Sequence, residues 1–454
     1  MGKGSVVMDG RVKNKEVVLA IAASVGLGLA LCAGLLAAFL VVKAGDSGKL
    51  KGERLVDDVD RIAFLSTDGN LYIVDRNGEN VEFLAVGGEN TVLAHPTWAP
   101  DGRRVAFVAQ REAPNGVESV LYTVSTAGGS PATLYTSVDN PAFYLYWSPD
   151  SRYVSFLTQE NVGLALRLAP ADGSEAARVL ERGAPFYWSW SPDSQEMLMH
   201  IGGARRLSSE ARLAILAGQP EAMPDVLADA PANFQAPAWS PDGNQLLYAG
   251  EDQNGEQALY VRQRDSGAVE KLVNVSGQVR FDWSPDGQWI AYQQIDNPMI
   301  SPLGRILLIR RDGAGLREVS RDLAVAFFWS PDSQHLAILT PSLGEEEDPS
   351  AGKRGLAVPL PQEGELLLRW WLLDMPDGAP RPLVAFQPTR SFLSMIPYFD
   401  QYGQSIRLWS PDSRDLLYSV RESPQQSGIW VADVEGQGPP RRLANGTLGV
   451  WSWY

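Results

Sequence analysis

The sequence predicts an all-β protein, an eight-bladed β-propeller of four-stranded antiparallel blades, preceded by a single transmembrane α-helix. Three observations in the 454 residues support this prediction. A Trp-Ser/Ala-Pro-Asp phrase returns at intervals of 43 to 49 residues between Trp98 and Trp329. An apolar or alternating β-type run follows each copy, as in residues 104–108. Finally, an uncharged run lies near the N-terminus. A repeat of about 40–50 residues with strand-like content is typical of propeller blades.

The uncharged run covers residues 17–42. A helix of this length can cross the ~30 Å hydrocarbon core of a bilayer. Residues 1–16 would then be a short cytoplasmic tail, and the polar residues 43–59 a stalk. Lys and Arg are equally frequent on both flanks, so the orientation depends on the shortness of the tail. We therefore expect a signal-anchored, single-pass membrane protein whose propeller is periplasmic or extracellular.

Small residues recur at every fourth position of this predicted helix. A stripe of this kind allows two helix backbones to approach closely in lipid. Ala and Gly are also frequent throughout the segment, so helix–helix association and simple composition both remain open. The stripe consists of Ala22, Gly26, Ala30, Gly34 and Ala38.

The repeated phrase has a structural explanation. Its Trp fills the space between blades with a large apolar ring, its Pro ends a strand, and its Asp begins a tight turn. We interpret these aspartates as structural. Four copies carry Ser after the Asp where Gly would be expected, which predicts a different turn geometry there. The motif residues are Trp98 and Asp101, Trp147 and Asp150, Trp190 and Asp193, Trp239 and Asp242, Trp283 and Asp286, Trp329 and Asp332, Trp409 and Asp412, and Trp451.

The two ends of residues 60–454 complement each other. The β content begins at residues 61–65 without a Trp strand before it, and ends at residues 449–454 with a Trp strand that nothing follows. Joined, they complete one blade, which brings the predicted number to eight and removes exposed sheet edges. The 80-residue interval after Trp329 contains two insertions. We expect the acidic one, residues 341–365, to be solvated, and the apolar one, residues 387–405, to pack on this domain or on a partner.

With its Trp-Ser-Pro-Asp-Gly/Ser phrase followed by a hydrophobic strand, the region from about residue 60 to 454 resembles the WD-like repeat of the TolB C-terminal propeller. The resemblance implies an extracytoplasmic scaffold that binds other proteins. The chain departs from TolB in its larger predicted number of blades and in its predicted membrane helix, which stands where TolB has a separate α/β domain.

Composition and motifs narrow the function further. The formal net charge of −15 is unsuited to binding a nucleic-acid backbone. One Cys and three widely separated His predict no metal site, and we expect no cofactor. Propeller peptidases of the prolyl oligopeptidase family have a similar layout, but they need a Gly-x-Ser-x-Gly elbow, which this sequence lacks. We therefore expect a non-catalytic protein.

Aromatic and arginine side chains lie in or just before the predicted inner strands, where they would surround one mouth of the channel. Such residues are typical anchors of protein interfaces. They could equally pack between blades. The sequence leaves two functions open: a protein- or peptide-binding scaffold or sensor that uses this rim, and a small-molecule- or glycan-binding, even hydrolytic, propeller with a site at the channel mouth. The candidate rim residues are Phe143, Tyr144, Phe186, Tyr187, Trp188, Phe234, Arg280, Phe327 and Arg407.

Overall fold

The structure is a computed structural model that describes residues 60–203, 211–218, 223–232, 235–298, 300–320, 322–342 and 366–454. The predicted tail, helix with its small-residue stripe, and stalk lie outside the described residues. So do Phe234 and residues 343–365 of the acidic insertion. In the described ranges, no helix is long and apolar enough to cross a membrane. This finding contradicts the predicted single-pass membrane localisation.

The described residues form thirty strands in seven antiparallel sheets, which confirms an all-β propeller. Six sheets have four strands each and follow one another along the chain. The first three comprise β4 (Thr91–Trp98), β5 (Arg104–Ala113), β6 (Gly116–Ser125) and β7 (Ala132–Ser137); β8 (Ala142–Trp147), β9 (Tyr153–Gln159), β10 (Leu164–Pro170) and β11 (Arg178–Gly183); and β12 (Phe186–Trp190), β13 (Glu196–Ile201), β14 (Arg212–Ala217) and β15 (Asp225–Val226).

The next three sheets repeat the same order of strands. They comprise β16 (Ala238–Trp239), β17 (Gln245–Glu251), β18 (Gln257–Gln263) and β19 (Val269–Asn274); β20 (Gln278–Trp283), β21 (Trp289–Ile295), β22 (Arg305–Arg310) and β23 (Arg317–Glu318); and β24 (Ala326–Trp329), β25 (His335–Ser342), β26 (Leu367–Asp374) and β27 (Arg381–Phe386). In each four-stranded sheet the first strand ends at the motif Trp, and it is the innermost strand of its blade.

The seventh sheet has six strands and joins the two ends of the chain, in the order β28-β29-β30-β1-β2-β3. The pairing of β30 with β1, for example Leu448 with Leu65, confirms the predicted closure of the ring. The strands are β28 (Asp415–Ser423), β29 (Gln426–Asp433), β30 (Arg441–Trp451), β1 (Arg61–Ser66), β2 (Leu71–Asp75) and β3 (Glu82–Ala85).

The prediction of eight separate blades is wrong, because the described residues form seven sheets. The reason lies in β30, whose 11 residues run without a break through two successive repeats. Its first part pairs with β29 and its second part with β1. Two units that the sequence pattern presents as separate blades therefore share one continuous strand.

The motif tryptophans join neighbouring repeats. The Trp147 indole N–H donates to the carbonyl of Thr97, the residue before the preceding motif Trp, at 3.1 Å. Trp98 bonds Val450, Trp239 bonds Ser189 and Trp409 bonds Phe328 in the same manner, at 3.1–3.2 Å. These rings are buried or nearly so. Each of them therefore contributes both apolar area and one hydrogen bond between repeats.

The prediction of a different turn where Ser replaces Gly is wrong. Ser151, Ser194, Ser333 and Ser413 have φ of 61–63°, and Gly102, Gly243 and Gly287 have φ of 68–71°, so both residue types adopt one left-handed turn. Glycine adopts this conformation without strain, whereas serine pays a steric cost. Each of the four serine hydroxyls, however, accepts a hydrogen bond from the backbone N–H of the Asp in the preceding repeat, at 2.9–3.1 Å.

Where the motif carries Gly243 or Gly287, an arginine makes the link to the preceding repeat instead. Arg264 contacts the carboxylate of Asp193 at 3.1 Å, and Arg311 contacts that of Asp242 at 3.3 Å. Burial alone would raise the pKa of Asp242, but the Ser240 hydroxyl, the Asn244 N–H and the Arg311 charge lower it to about 2. Neighbouring repeats are thus joined either through a serine hydroxyl or through an arginine.

Candidate functional site

The antiparallel order of each blade sorts its connections onto two faces. The motif turns lie on one face, here called the turn face. The loops that lead into the inner strands lie on the other, here called the mouth face, together with the hairpins between the second and third strands. Residues 387–405, between β27 and Trp409, lie on the mouth face. All candidate rim residues precede a motif Trp, and most of them therefore lie toward the mouth face.

Residues 387–405, here called the cap segment, form two short helices, Arg390–Met395 and Phe399–Tyr402, joined by the 3₁₀ turn Ile396–Tyr398. Thr389 caps the first helix, since its side-chain oxygen accepts from the Phe392 N–H at 3.2 Å. The same hydroxyl donates to the Thr447 carbonyl at 2.6 Å. Phe392 is buried against Phe386, with ring centroids 5.7 Å apart. The apolar insertion therefore packs on this domain.

Aromatic side chains of the cap segment contact the inner strands of several blades. The Tyr402 ring lies 4.4 Å from that of Tyr144 and stacks on His95 at 5.9 Å. Phe399 packs edge-to-face against Phe327 at 4.9 Å. Because these partners belong to β4, β8 and β24, the cap segment must cross the channel between them.

Polar contacts hold the far end of the cap segment. The Gln404 amide donates to the Tyr187 hydroxyl at 3.1 Å and to the Trp188 carbonyl at 3.2 Å, while its carbonyl oxygen accepts from the Trp190 N–H at 3.3 Å. A fourth blade, that of β12, is thereby fastened to the segment. The cap segment closes the mouth of the channel with apolar contacts on one side and hydrogen bonds on the other.

A small charged cluster lies at the mouth, against the cap segment. Arg280 Nε lies 3.8 Å from Asp400 Oδ1, and both side chains are less than a tenth exposed. The Arg280 guanidinium also donates to Gln293 at 3.1 Å and lies over the Phe399 ring. Burial raises the pKa of Asp400, and the Arg280 charge opposes that shift.

Asp282, two residues further along β20, is accessible to water although protein surrounds it. This combination is the one expected of a side chain that faces a narrow channel. Burial raises its pKa to about 7, and the negative charge of Asp400 adds to the shift, while the Trp283 N–H hydrogen bond opposes it. The channel therefore holds a buried guanidinium, a buried carboxyl group and, in Asp282, a second carboxyl group that water reaches.

The structure buries most of the candidate rim. Phe186, Tyr187, Trp188, Arg280 and Phe327 are 3%, 5%, 1%, 7% and 2% exposed. Tyr144, Tyr187, Trp188, Arg280 and Phe327 are brought together by the cap segment.

The remaining rim residues take other positions. Phe186 lies 6.5 Å from Trp188 of the same strand, in a buried cluster shared with the neighbouring blade, and Phe143, which is partly exposed, lies beside Tyr144. Arg407 lies 4.3 Å above the Trp453 ring, and burial lowers its pKa to about 10.

Sequence reasoning missed five residues of this site, His95, Asp282, Asp400, Tyr402 and Gln404. The available signal was the apolar and aromatic composition of residues 387–405, which indicated packing but not its location. Burial lowers the pKa of His95 to about 4, so this ring is neutral at physiological pH. In the described ranges, no group of three or more His, Cys, Asp or Glu side chains could hold a metal ion.

The motif aspartates lie away from the channel mouth, in the turns of the opposite face. In six copies the carboxylate accepts a hydrogen bond from the Ser two residues before it, at 2.5–2.8 Å. The carboxylates of these six aspartates, and that of Asp101, also accept a hydrogen bond from the backbone N–H two residues further along the chain. These contacts define the turn, and they leave the aspartates engaged in local structure.

Comparison with known proteins supports the fold and gives little on activity. No protein-family profile matches the chain. A segment of 59 residues is 36% identical to the Tol-Pal system protein TolB of Alcanivorax borkumensis, covering 13% of this chain and 14% of TolB. A segment of 156 residues is 27% identical to the uncharacterized peptidase YuxL of Bacillus subtilis, covering 34% of this chain and 21% of YuxL. The matches thus span a small part of either relative.

Among solved structures, the dihydro-heme d1 dehydrogenase NirN in complex with DHE matches with a TM-score of 0.53 and 17% identity, over 88% of this chain and 76% of that chain. At this identity the likeness concerns the fold alone. The chain is therefore a β-propeller with local sequence similarity to TolB. Because the similar proteins include TolB and one named as a peptidase, they do not decide between binding and catalysis.

Proposed function

We propose that this chain is a non-catalytic, protein-binding propeller whose partner docks on the mouth face. The observation that carries the proposal is the cap segment, which crosses the channel mouth and buries the aromatic rim beneath it. A protein partner needs only the outer surface of this face. A small ligand that entered the channel from this face would have to pass Phe399 and Tyr402, which are 4% and 8% exposed.

The outer surface of the cap segment suits such a role. Arg390 is exposed, and Leu393 and Tyr398, which pack partly against the core, keep some surface open to solvent, so one cation and parts of two large side chains are accessible on a segment that is fixed from below. Arginine and tyrosine are enriched at protein interfaces. A rigid support also lowers the ordering cost of binding, because the side chains are already positioned before the partner arrives.

The second candidate is a small-molecule or glycan site at the channel mouth. One observation favours it: Arg280 lies beside Asp400 there, Asp282 lies close enough to Asp400 for their charges to interact, and convergent polar groups are what such a site requires. The cap segment lies against this cluster. Ligand binding there would therefore require the cap segment to move, and it would stabilise an opened form rather than the closed one.

Site-specific photo-crosslinking tests the proposal. A benzophenone amino acid replaces Leu393 on the mouth face in the full chain, and a matched control replaces Leu316, which is 49% exposed in a turn-face connection. Both proteins are irradiated in the source cells, and the products are identified by mass spectrometry. We expect one dominant protein adduct from position 393 and none from position 316.

Equal adducts from both positions, or none from either, would overturn docking on the mouth face. The small-ligand alternative has its own measurement, a thermal-shift screen of glycans and metabolites against the wild type and Arg280→Met. A ligand whose stabilising effect disappears in Arg280→Met would replace the scaffold proposal with the channel-mouth site.

A further inference from the structure

Asp282 differs from the other residues that directly precede a motif Trp. Because these residues have equivalent positions and pairing in each repeat, they lie at one level of the ring. Asp282 is exposed, and its counterparts on the two adjacent blades, Ala238 and Phe328, are partly exposed. The space that Asp282 faces, flanked by these two residues, is here called the Asp282 chamber. The counterparts in the other repeats are buried: Thr97, Tyr146, Ser189, Leu408 and Val450.

The chamber carries one negative charge that no cation balances. Asp282 Oδ1 accepts the Trp283 N–H at 2.9 Å, and no hydrogen bond or ion pair from the described residues reaches Oδ2. Asp400 lies close enough for the two charges to interact. Its Oδ1 is buried without a hydrogen bond, 3.8 Å from Arg280 Nε. Two carboxyl groups therefore share a single guanidinium.

The contacts between blades are also different on both sides of β20, the strand that carries Asp282. In four repeats the motif indole donates to the carbonyl of the residue before the preceding motif Trp. For Trp329 that residue is Asp282, and for Trp283 it is Ala238. Both indole N–H groups are buried, yet neither has a hydrogen-bond partner. This observation does not involve the carboxylates, and it indicates that the blades leave extra space beside the chamber.

We infer that the Asp282 chamber binds an organic ammonium group, a primary amine with one positive charge on an aliphatic chain. A single positive charge matches the one unbalanced carboxylate, and an ammonium N–H can donate to Asp282 Oδ2 in a charge-assisted hydrogen bond. The partly exposed ring of Phe328 offers an aromatic surface for the same cation. A multivalent metal ion fits poorly, because the Arg280 guanidinium would repel it.

The chamber lies deeper than the channel mouth. Along β20, Asp282 is two residues closer to the turn face than Arg280, and the helix Phe399–Tyr402 lies on the mouth side. A ligand that reaches Asp282 from the turn face does not have to pass the cap segment or separate Arg280 from Asp400. The inference therefore goes beyond the proposed function, and it differs from the channel-mouth candidate, which requires the cap segment to move.

Isothermal titration calorimetry on the full chain tests the inference. The probe is n-butylammonium chloride, and the uncharged matched probe is n-butanol. A second arm uses an acetylated and amidated Gly-Gly-Lys-Gly-Gly peptide, which presents the same group as a lysine of a partner protein would. The test variant is Asp282→Asn, which keeps the shape of the side chain. The control, Asp265→Asn, removes an exposed carboxylate from the β18–β19 connection on the turn face. Thermal melts check that each variant is folded.

We expect the wild type to bind n-butylammonium but not n-butanol, Asp282→Asn to weaken binding at least tenfold, and Asp265→Asn to change it less than twofold. Binding of the peptide as tightly as the free amine would identify a lysine of a partner as the source. Binding of the free amine alone would identify a small amine. No binding of either amine, equal binding of n-butanol, or equal weakening in the two variants would overturn the inference.

Arg280→Met separates the chamber from the channel-mouth candidate. Loss of the nearby positive charge should leave n-butylammonium binding unchanged or make it tighter, whereas a ligand at the channel mouth loses its effect in this variant. An ammonium signal that disappears in Arg280→Met would overturn the chamber as a separate site. If position 393 captures a protein while the wild type binds no amine, the chamber is wrong and the scaffold stands.

Discussion

Replacing Ser333 tests how neighbouring repeats are held together. Its hydroxyl accepts the Asp286 N–H at 2.9 Å, its side chain is buried, and its backbone has φ of 62°. Ser333→Ala removes the hydrogen bond and keeps the left-handed strain, which should cost about 1–2 kcal/mol of unfolding free energy. Ser333→Gly loses the same bond but relieves roughly 1 kcal/mol of strain, so it should be the less destabilising variant.

The assay is urea unfolding followed by tryptophan fluorescence, because most motif tryptophans lie between repeats and report their separation. A stability order of wild type, then Ser333→Gly, then Ser333→Ala is expected, with about 1 kcal/mol between the two variants. The matched control is Gly287→Ala, which introduces strain without removing a bond. If Ser333→Gly is less stable than Ser333→Ala, the strain argument is refuted. If Ser333→Ala is as stable as the wild type, the link between repeats contributes nothing.

Two further predictions concern the channel mouth. The folded protein keeps a proton on Asp282 up to about pH 7, whereas the unfolded chain releases it near pH 4, so stability should fall as pH rises through this window. Asp282→Asn should remove this pH dependence, which amounts to on the order of 1 kcal/mol of unfolding free energy after screening by channel water. Urea midpoints measured at several pH values would reveal the change. An unchanged dependence on pH would contradict the assignment. Phe399→Ala should cost about 3–5 kcal/mol, whereas Leu393→Ala, at a side chain that is only half-buried, should cost roughly 1 kcal/mol, measured in the same way. Equal losses would mean that the cap segment is not packed by its inner side chains.

Much of the fold could be predicted from the sequence because the repeat is local. The Trp-Ser-Pro-Asp phrase places a ring, a strand end and a turn within four residues, and its period indicates the blades. The matching ends of the chain predicted the pairing of β30 with β1. The number of separate blades could not be predicted, because a pattern of repeats does not reveal that one strand, Arg441–Trp451, continues through two of them.

The candidate site was only half predictable. Aromatic residues before the inner strands were visible in the sequence, and Tyr144, Tyr187 and Phe327 do meet at the channel mouth. They do not form the open rim that the sequence suggested, because residues 387–405 cover them. Nothing local in the sequence links Gln404 to Tyr187, which lies 217 residues earlier.

The sequence by itself determined the repeating unit, the position of its turns and the closure of the ring, since each depends on residues next to one another or on two complementary ends. The tertiary structure alone decided three things: the seven sheets, the covering of the mouth by the cap segment, and the choice between serine and arginine as the link between repeats. The physical reason is the same in each case. These features depend on which strands and side chains meet across the propeller, and a partner such as Asp400 for Arg280 acquires its effect only when burial in the folded protein removes both from bulk water.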